Sequence, residues 1–585
     1  MPFFPVEIPP GVYPDLTPYG AEGKWLSSNR IRFRDGLPEP IGGWQKLLAS
    51  PVLGVPRSMH SWSEIDGTKN VAVGTSTKLY TVQGSTATDI TPVRDSGTLG
   101  SNPITITSGS ALVSIADTAH GLQAGDSATF GGAAAVDNVT VDGEYIVTSI
   151  TDDDNYVITY TTTADSSTSG GGASVTYSYQ LSIGVDSSTF SFGFGAGSWN
   201  DSTWNTARTA SNTTLDLRIW SMMNFGEDLL ASPRGYGLYV WDASVGIGTP
   251  AAVVSAAPTA ELFILSPDDR HVIALGAGGD PSKIQWCDQG DYTNWTQSAS
   301  TTAGERQLLS GSKIVTALVT KTEIIIWTDV SVHSLRFVGG DFTFDLSTIG
   351  DSNGAFGIAA PVERNGVAFW MANGTFQLYD GTIKDMACSM LRHVFDDIDR
   401  AQKDKVTTGM FETRQEIWWF YPSADGGGEN DKYVKYNWKD NAWDFGDLDR
   451  TSYIDSDVFS APLATDASGE IYEHELSDHT DEDGAALGEF IESGDIDISN
   501  GKQVAFMNRL IPDFVGGPVD ITFKSRMTPG STQVSYGPFN VQASTTNIRP
   551  RVRGRRVAVR LDGDVSGVYW RFGRPIADIE PDGEE

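Results

Sequence analysis

Cysteine is nearly absent from this chain: Cys287 and Cys388 are the two in 585 residues. Two thiols cannot build a disulfide framework, and no Cys/His group has structural-zinc spacing. The seven histidines are scattered, with no H-E-x-x-H pattern. Positive charge is scarce as well. Lys and Arg total 41 against 75 Asp and Glu, a formal net charge of −34 and a pI near 4.4. That balance excludes a protein whose whole surface grips nucleic acid by neutralising phosphates. It suits a solubilising surface, or a wall that polyanions pass without sticking. No apolar run approaches the roughly 18 residues of a membrane-spanning helix. The opening Met1-Pro2-Phe3-Phe4-Pro5 lacks the basic and apolar segments of a secretion signal. A soluble chain made in the cytoplasm, without membrane insertion, is the expectation.

Glycine and aromatics, by contrast, are plentiful: 63 Gly, 16 Trp, 26 Phe and 19 Tyr. An aromatic content of 10% excludes general disorder. Gly-, Thr-, Ser- and Asp-rich turns between short apolar runs predict an all-β protein, and the length accommodates two to four domains.

A repeat emerges after about residue 55. An apolar strand is followed by a strand ending in an aromatic, as in Lys78-Leu79-Tyr80, Gly237-Leu238-Tyr239-Val240-Trp241, Lys283-Ile284-Gln285-Trp286, Ser334-Leu335-Arg336-Phe337, Gln377-Leu378-Tyr379, Val434-Lys435-Tyr436 and Glu470-Ile471-Tyr472. Beyond the first gap the aromatics recur roughly 36 to 57 residues apart, the size of a four-stranded propeller blade. We therefore predict an irregular β-propeller of six blades, with seven also compatible. Residues 1–50 lead into it, 51–94 begin it and 183–484 complete it. The first gap is long because residues 95–182, poor in aromatics and rich in Thr, Ser, Ala and Gly, read as an inserted small β domain. Residues 485–585 alternate in the manner of sandwich strands, as in Val519-Asp520-Ile521-Thr522-Phe523 and Val557-Ala558-Val559-Arg560-Leu561, and predict a C-terminal β-sandwich-like domain.

One helix stands out. Leu391, Val394, Phe395 and Ile398 recur at i, i+3, i+4 and i+7, with charged residues opposite. The densest aromatic stretch follows it: Glu416-Ile417-Trp418-Trp419-Phe420-Tyr421, then Lys432-Tyr433-Val434-Lys435-Tyr436 and Ala442-Trp443-Asp444-Phe445. Such a strand needs cover on both faces, so it predicts the middle of a blade in an antiparallel meander.

Two arginine groups are candidate contact residues. Arg30, Arg32 and Arg34 alternate with Ile31 and Phe33, which places three guanidinium groups on one strand face and two apolar groups on the other. They either pair with neighbouring carboxylates on an edge strand or meet a subunit partner. Asp35-Gly36 then makes a turn. Eight Arg fall between Arg549 and Arg574, among them Arg551, Arg553, Arg555 and Arg556, against Asp562 and Asp564. This basic stretch either docks onto the acidic remainder of the protein or touches phosphate.

Catalytic signatures fail on context. Gly350-Asp351-Ser352-Asn353-Gly354 matches G-x-S-x-G, but no helical pattern follows it. His479-Thr480-Asp481-Glu482-Asp483-Gly484 lacks the first and twelfth ligands of an EF-hand. Gly276-Ala277-Gly278-Gly279-Asp280-Pro281 has Pro where a dinucleotide fingerprint needs its third Gly. No cofactor, no metal and no enzyme activity is expected.

The Arg-rich opening with its Gly42-Gly43-Trp44 turn, the 391–398 helix and the Trp418-Trp419 meander resemble the nozzle proteins of short-tailed bacteriophages, also called packaged-DNA stabilisation or tail tubular proteins. The insert, with His120-Gly121-Leu122, Gly125-Asp126 and Gly143-Glu144-Tyr145-Ile146-Val147, resembles a compact module of phage structural proteins. The resemblance implies a virion tail protein forming a homo-hexameric ring below the portal and its tail adaptor. Such a ring retains packaged DNA, passes it at ejection without binding it tightly, and meets tail fibres or spikes. A tail-associated propeller that binds host glycan or anchors fibres is the second expectation, with Trp199, Trp204 and Trp295 as candidate sugar-stacking residues. A propeller glycoside hydrolase is the third.

Overall fold

Glu416–Pro422 is buried at all seven positions. It lies between Thr407–Phe411 and Asn430–Asn437, and Ala442–Asp447 completes a four-stranded antiparallel meander. The computed structural model, which describes residues 3–188, 216–266, 269–351, 354–476, 481–498 and 503–583, contains six sheets of this kind and a seventh, six-stranded one whose first four strands follow the same antiparallel order. They begin at Pro56, Trp220, Leu262, Ile314, Pro361, Thr407 and Ser452, and we number them blades 1 to 7. In each, the second strand is nearly fully buried, as in Lys69–Thr75, Asp228–Pro233, Val272–Leu275 and Ile324–Thr328. Apolar residues predominate in these strands because side chains on both faces are buried. The protein is thus all-β with propeller blades, and the described residues give seven of them where the repeat favoured six.

Blade 7 was obscured because its outer strand comes from far away in sequence. Ser452–Ile454, Leu463–Thr465 and Ile471–His474 are completed by Trp44–Lys46, which pairs antiparallel with Ile471–His474. Gly42 and Gly43 permit this. A Cβ on Gly43 would overlap the backbone of Asp481, and one on Gly42 would overlap Glu475.

The chain divides into two compact units, residues 1–51 with 308–585, and residues 52–307. The first holds blades 4 to 7 and a C-terminal β-sandwich. Val519–Arg526 alternates buried and half-buried along its length, as a sandwich strand must. Two strands from the opening segment complete the sandwich. Phe3–Pro5 pairs with Ile576–Pro581, and Trp25–Asn29 with Phe490–Ser493. The opening residues therefore belong to the sandwich and to blade 7.

The helix is shorter than its periodicity predicts. It spans Leu391–Phe395, and Ile398 instead bridges to Ser423 at the edge of blade 6. The amide of Asp399 bonds the carbonyl of Pro422, and that of Ala424 bonds Asp397, which draws the chain out of the helix. Among the described residues no helix is long and apolar enough to cross a membrane.

The second unit holds blades 1 to 3 and the insert. The insert is an eight-stranded sheet array running from Val93–Thr98 to Thr176–Gln180, and those two strands pair with each other. Its own core includes Ile104, Ile115, Phe130, Tyr156 and Tyr179.

Candidate functional site

Ile31–Arg34 and Leu37–Pro40 form a two-residue hairpin. Asp35 (φ 51°) and Gly36 (φ 80°) both take positive φ, as a tight hairpin turn requires. Ile31 and Phe33 enter the main core of the first unit, and Arg32 is buried too, so both faces of this strand are covered. Arg32 is 2% exposed. Its Nε and Nη2 donate to Glu416 at 3.1 and 3.0 Å, and Nη1 and Nη2 donate to Glu475 at 2.5 and 2.6 Å.

Lys435 extends the network. Its Nζ donates to Glu416 Oε1 at 3.2 Å and to the Ile31 carbonyl at 3.0 Å, and lies 3.4 Å from Asp444. Burial alone would lower the Arg32 pKa, but Glu416 and Glu475 hold it well above its usual value. Burial would raise Glu416, and Arg32 and Lys435 reverse that to a lowered pKa. Asp444 is the exception: burial, only partly offset by Lys435, pushes its carboxyl up to about 7. Two cations against Glu416 and Glu475 are already neutral, so an ionised Asp444 would be surplus negative charge in a dry site.

Of the three alternating arginines, then, Arg32 offers no free guanidinium nitrogen to a partner, because two buried carboxylates occupy it. Arg30 is also engaged internally, with Glu482 at 2.6 Å and with the carbonyls of Leu487 and Asp447. Arg34 is different. Its side chain is 53% exposed and its nearest carboxylate, Glu39, is 4.0 Å away.

The C-terminal arginines divide in the same way. Arg556 pairs with Glu22 at 3.1 Å and Asp497 at 3.6 Å and lies over the Tyr19 ring, so it is spent on the opening segment. Arg571 meets Asp35 and Glu39, and Arg574 meets Glu7. Arg555 is half-buried, with its backbone N–H bonded to the Arg526 carbonyl. Arg553 pairs with Asp582 at 2.6 Å on the surface. Arg549 and Arg551 are exposed and have no ion pair among the described residues.

The motif segments, distant in sequence, meet in one core. Phe395 of the helix, Phe376 of blade 5, and Trp419 and Trp443 of blade 6 form a continuous aromatic cluster with centroid separations of 4.8 to 6.0 Å. Asp15 of the opening segment caps the helix, accepting from the amides of Arg392 and His393 at 3.0 and 2.8 Å. Each buried apolar side chain here contributes about 1.5–3 kcal/mol.

Sequence reading missed Arg414 and Lys439. With Arg34 they line a cavity of about 210 Å³. The available signal was positional, each cation standing next to a hairpin turn. It also missed an Asp–His–hydroxyl chain in blade 3. His271 Nδ1 is 2.8 Å from Asp269 and Nε2 is 2.9 Å from Thr302 Oγ1. Thr302 donates to Asp288 at 2.8 Å and accepts from the Gln289 amide at 2.9 Å, so its hydroxyl is already committed and pins the blade.

The rejected motifs fall on ordinary structure. Gly276–Gly279 turns between two strands of blade 3, and Gly350 and Asp351 end a blade 4 strand. Ser352, Asn353, His479, Thr480, Trp199 and Trp204 lie outside the described residues. Trp295 is buried, with its indole N–H bonded to the Tyr292 carbonyl, and has no face to offer a sugar. Among the described residues no group of three or more His, Cys, Asp or Glu is arranged to hold a metal.

No protein-family model matches the sequence, and no curated protein matches it. Among solved structures the chain is similar to a phage phi92 endosialidase at 10% identity, over 72% of this chain and 64% of that one, with a TM-score of 0.18. It thus spans just under two thirds of the endosialidase. It is also similar to the Myceliophteria thermophila Cps50 (Swd1) β-propeller domain, at 9% identity over 44% of this chain and 83% of that one, TM-score 0.29. For the N-terminal domain of Nup159 the identity is 10%, over 46% and 80% of the two chains, TM-score 0.28.

Proposed function

We propose that this chain is a structural protein of a short phage tail, six copies of which form the nozzle that closes the DNA channel below the portal and adaptor. The observation that supports this reading is the convergence just described. The Arg-rich opening, the helix and the Trp418-Trp419 meander are the segments that resemble nozzle proteins, and here they build one core around Arg32–Glu416 and Phe376–Trp443. In this reading the ring retains packaged DNA, becomes its exit conduit at ejection, and offers its outer surface to tail fibres or spikes.

The charge supplies a mechanism. Six copies at −34 each carry about −204 before counterions. Carboxylates facing the bore repel DNA phosphates within a Debye length of about 8–10 Å, so the duplex slides instead of adhering. A symmetry-averaged cryo-electron microscopy map of the virus particle tests the proposal. A sixfold ring at the distal tail, with these blades in each subunit, is the expected result. A peripheral position, or a copy number that cannot close a ring, overturns it.

The second reading, a tail-associated propeller that anchors fibres, has one observation in its favour. The tip joining the last two strands of blade 4 exposes Phe337, Val338 and Phe342, the last at 70%. Apolar groups at a solvated hairpin tip are a partner-contact signature. The same map decides between the two readings by the position of this tip.

A further inference from the structure

Three turns of the first unit surround the 210 Å³ cavity: Asp35-Gly36, the turn at Thr413–Gln415 leading into Glu416–Pro422, and the turn at Asn437–Asp440. Their cations are unevenly satisfied. Lys439 pairs with Asp35 at 2.8 Å, and Asp440 accepts from the Gly36 amide at 3.3 Å, so both acids of the cavity are in use. Arg32 also lines it but is consumed by Glu416 and Glu475. Among the described residues Arg34 has only Glu39 as an ion-pair partner, at 4.0 Å, and Glu39 already accepts from the Tyr569 hydroxyl at 2.6 Å.

Arg414 has no ion pair among the described residues, and its Nε is buried without a hydrogen-bond partner. A guanidinium N–H withdrawn from water and left unpaired is costly and calls for an acceptor. Several sheltered arginines do have carboxylates, as Arg30, Arg234 and Arg556 do, whereas Arg218 is met by the Ser182 carbonyl and the Tyr236 hydroxyl. Arg34 and Arg414 are thus the two cations of this cavity without a close carboxylate among the described residues.

Arg34 and Arg414 both line this small cavity, and a guanidinium group donates paired N–H bonds to a carboxylate. The volume is below the roughly 300–1,000 Å³ of small-molecule sites, so it suits a side-chain end group and not a cofactor. With 75 Asp and Glu against 41 Lys and Arg, another copy of the same chain is the nearest abundant source of such groups. We propose that this pocket receives an Asp or Glu carboxylate from a second copy of this chain, with Arg34 and Arg414 as the donors. The choice of partner rests on the ring reading; the lack of a close carboxylate does not.

The test compares the full chain with the Arg34→Gln/Arg414→Gln double variant by sedimentation velocity across a concentration series at low salt. Arg574→Gln, which removes an exposed guanidinium elsewhere, is the control. Unfolding midpoints establish that the variants are folded. The expected result is a shift of self-association to at least about tenfold higher concentration in the double variant, about 1.4 kcal/mol, with the control unchanged. Equal association of the double variant and wild type overturns the proposal, as does a wild type that stays monomeric throughout. A 30-base-pair DNA duplex is titrated in parallel. Duplex binding that depends on Arg34 and Arg414 and weakens with salt would reassign the pocket to phosphate and overturn the second-copy assignment. The particle map separates the two claims. A sixfold ring whose interfaces leave the pocket empty sinks the pocket alone, and a chain outside any ring sinks the ring reading.

Discussion

Asp444 makes the stability of the first unit depend on pH in a direction opposite to that of most buried, paired carboxylates. Its pKa rises from 3.8 to about 7, chiefly by burial. A group raised in the folded state binds its proton more tightly there than in the unfolded chain. Below pH 3.8 both states are protonated and there is no cost. Between 3.8 and 7 the unfolded chain alone releases its proton, so stability falls by about 1.4 kcal/mol per pH unit; above 7 the cost is complete, at about 4 kcal/mol. Asp444→Asn keeps the shape and leaves Arg32, Lys435, Glu416 and Glu475 as a neutral group. The measurement is urea unfolding of both proteins at pH 5, 6, 7 and 8, followed by tryptophan fluorescence, since Trp418 and Trp443 lie beside the network. The stability difference, variant minus wild type, should grow by about 2–3 kcal/mol from pH 5 to pH 8, because that interval spans about two units of the titration. Curves that stay parallel across this range would refute the reasoning, whatever their offset.

Further expectations concern the same frame. Glu416→Gln leaves Arg32 with Glu475 alone and Lys435 with Asp444 alone, so the unit should lose about 3–5 kcal/mol at neutral pH, read as a lower urea midpoint. Gly43→Ala drives a methyl into the backbone of Asp481; blade 7 should open, with new protease cleavage within residues 452–474. Deleting residues 1–29 removes Phe3–Pro5 and Trp25–Asn29 from the two sandwich sheets, and rapid proteolysis within 490–581 is expected where the intact chain resists. Replacing residues 99–175 by a short turn should leave circular dichroism of the remaining strands intact, because the flanking strands already pair with each other.

The parts of this fold that were legible in the sequence share local periodicity. The repeated strand–turn–strand units, the sandwich alternation of Val519–Arg526 and the Asp35-Gly36 turn are written in adjacent residues. What escaped depends on partners hundreds of residues apart. Trp44-Gln45-Lys46 is too short to show alternation, and nothing nearby indicates that it completes a blade beginning at Ser452. The helix was overestimated because Ile398 keeps the 3.6 period while its backbone is claimed by the edge of blade 6. The arginine strand was legible as charge but not as burial. Arg32 and Arg34 look alike in sequence, and only Glu416 and Glu475 separate a buried ion pair from a surface cation. The pocket at Arg414 was invisible for a similar reason, since its three turns are brought together by the sheet register.

The pairing of Trp44–Lys46 with Ile471–His474 has a consequence for biosynthesis. A ribosome adding about 5–20 residues per second takes roughly 20–90 s to travel from the first of these strands to the second. Throughout that interval Trp44 has no strand to pair with, and until residue 416 is made Arg32 has neither of its acids. A nascent chain interrupted before residue 416 therefore cannot lock its own beginning. Only polypeptides translated through the last blade and the sandwich can present the finished surface of the first unit, so the late closure separates complete chains from truncated ones.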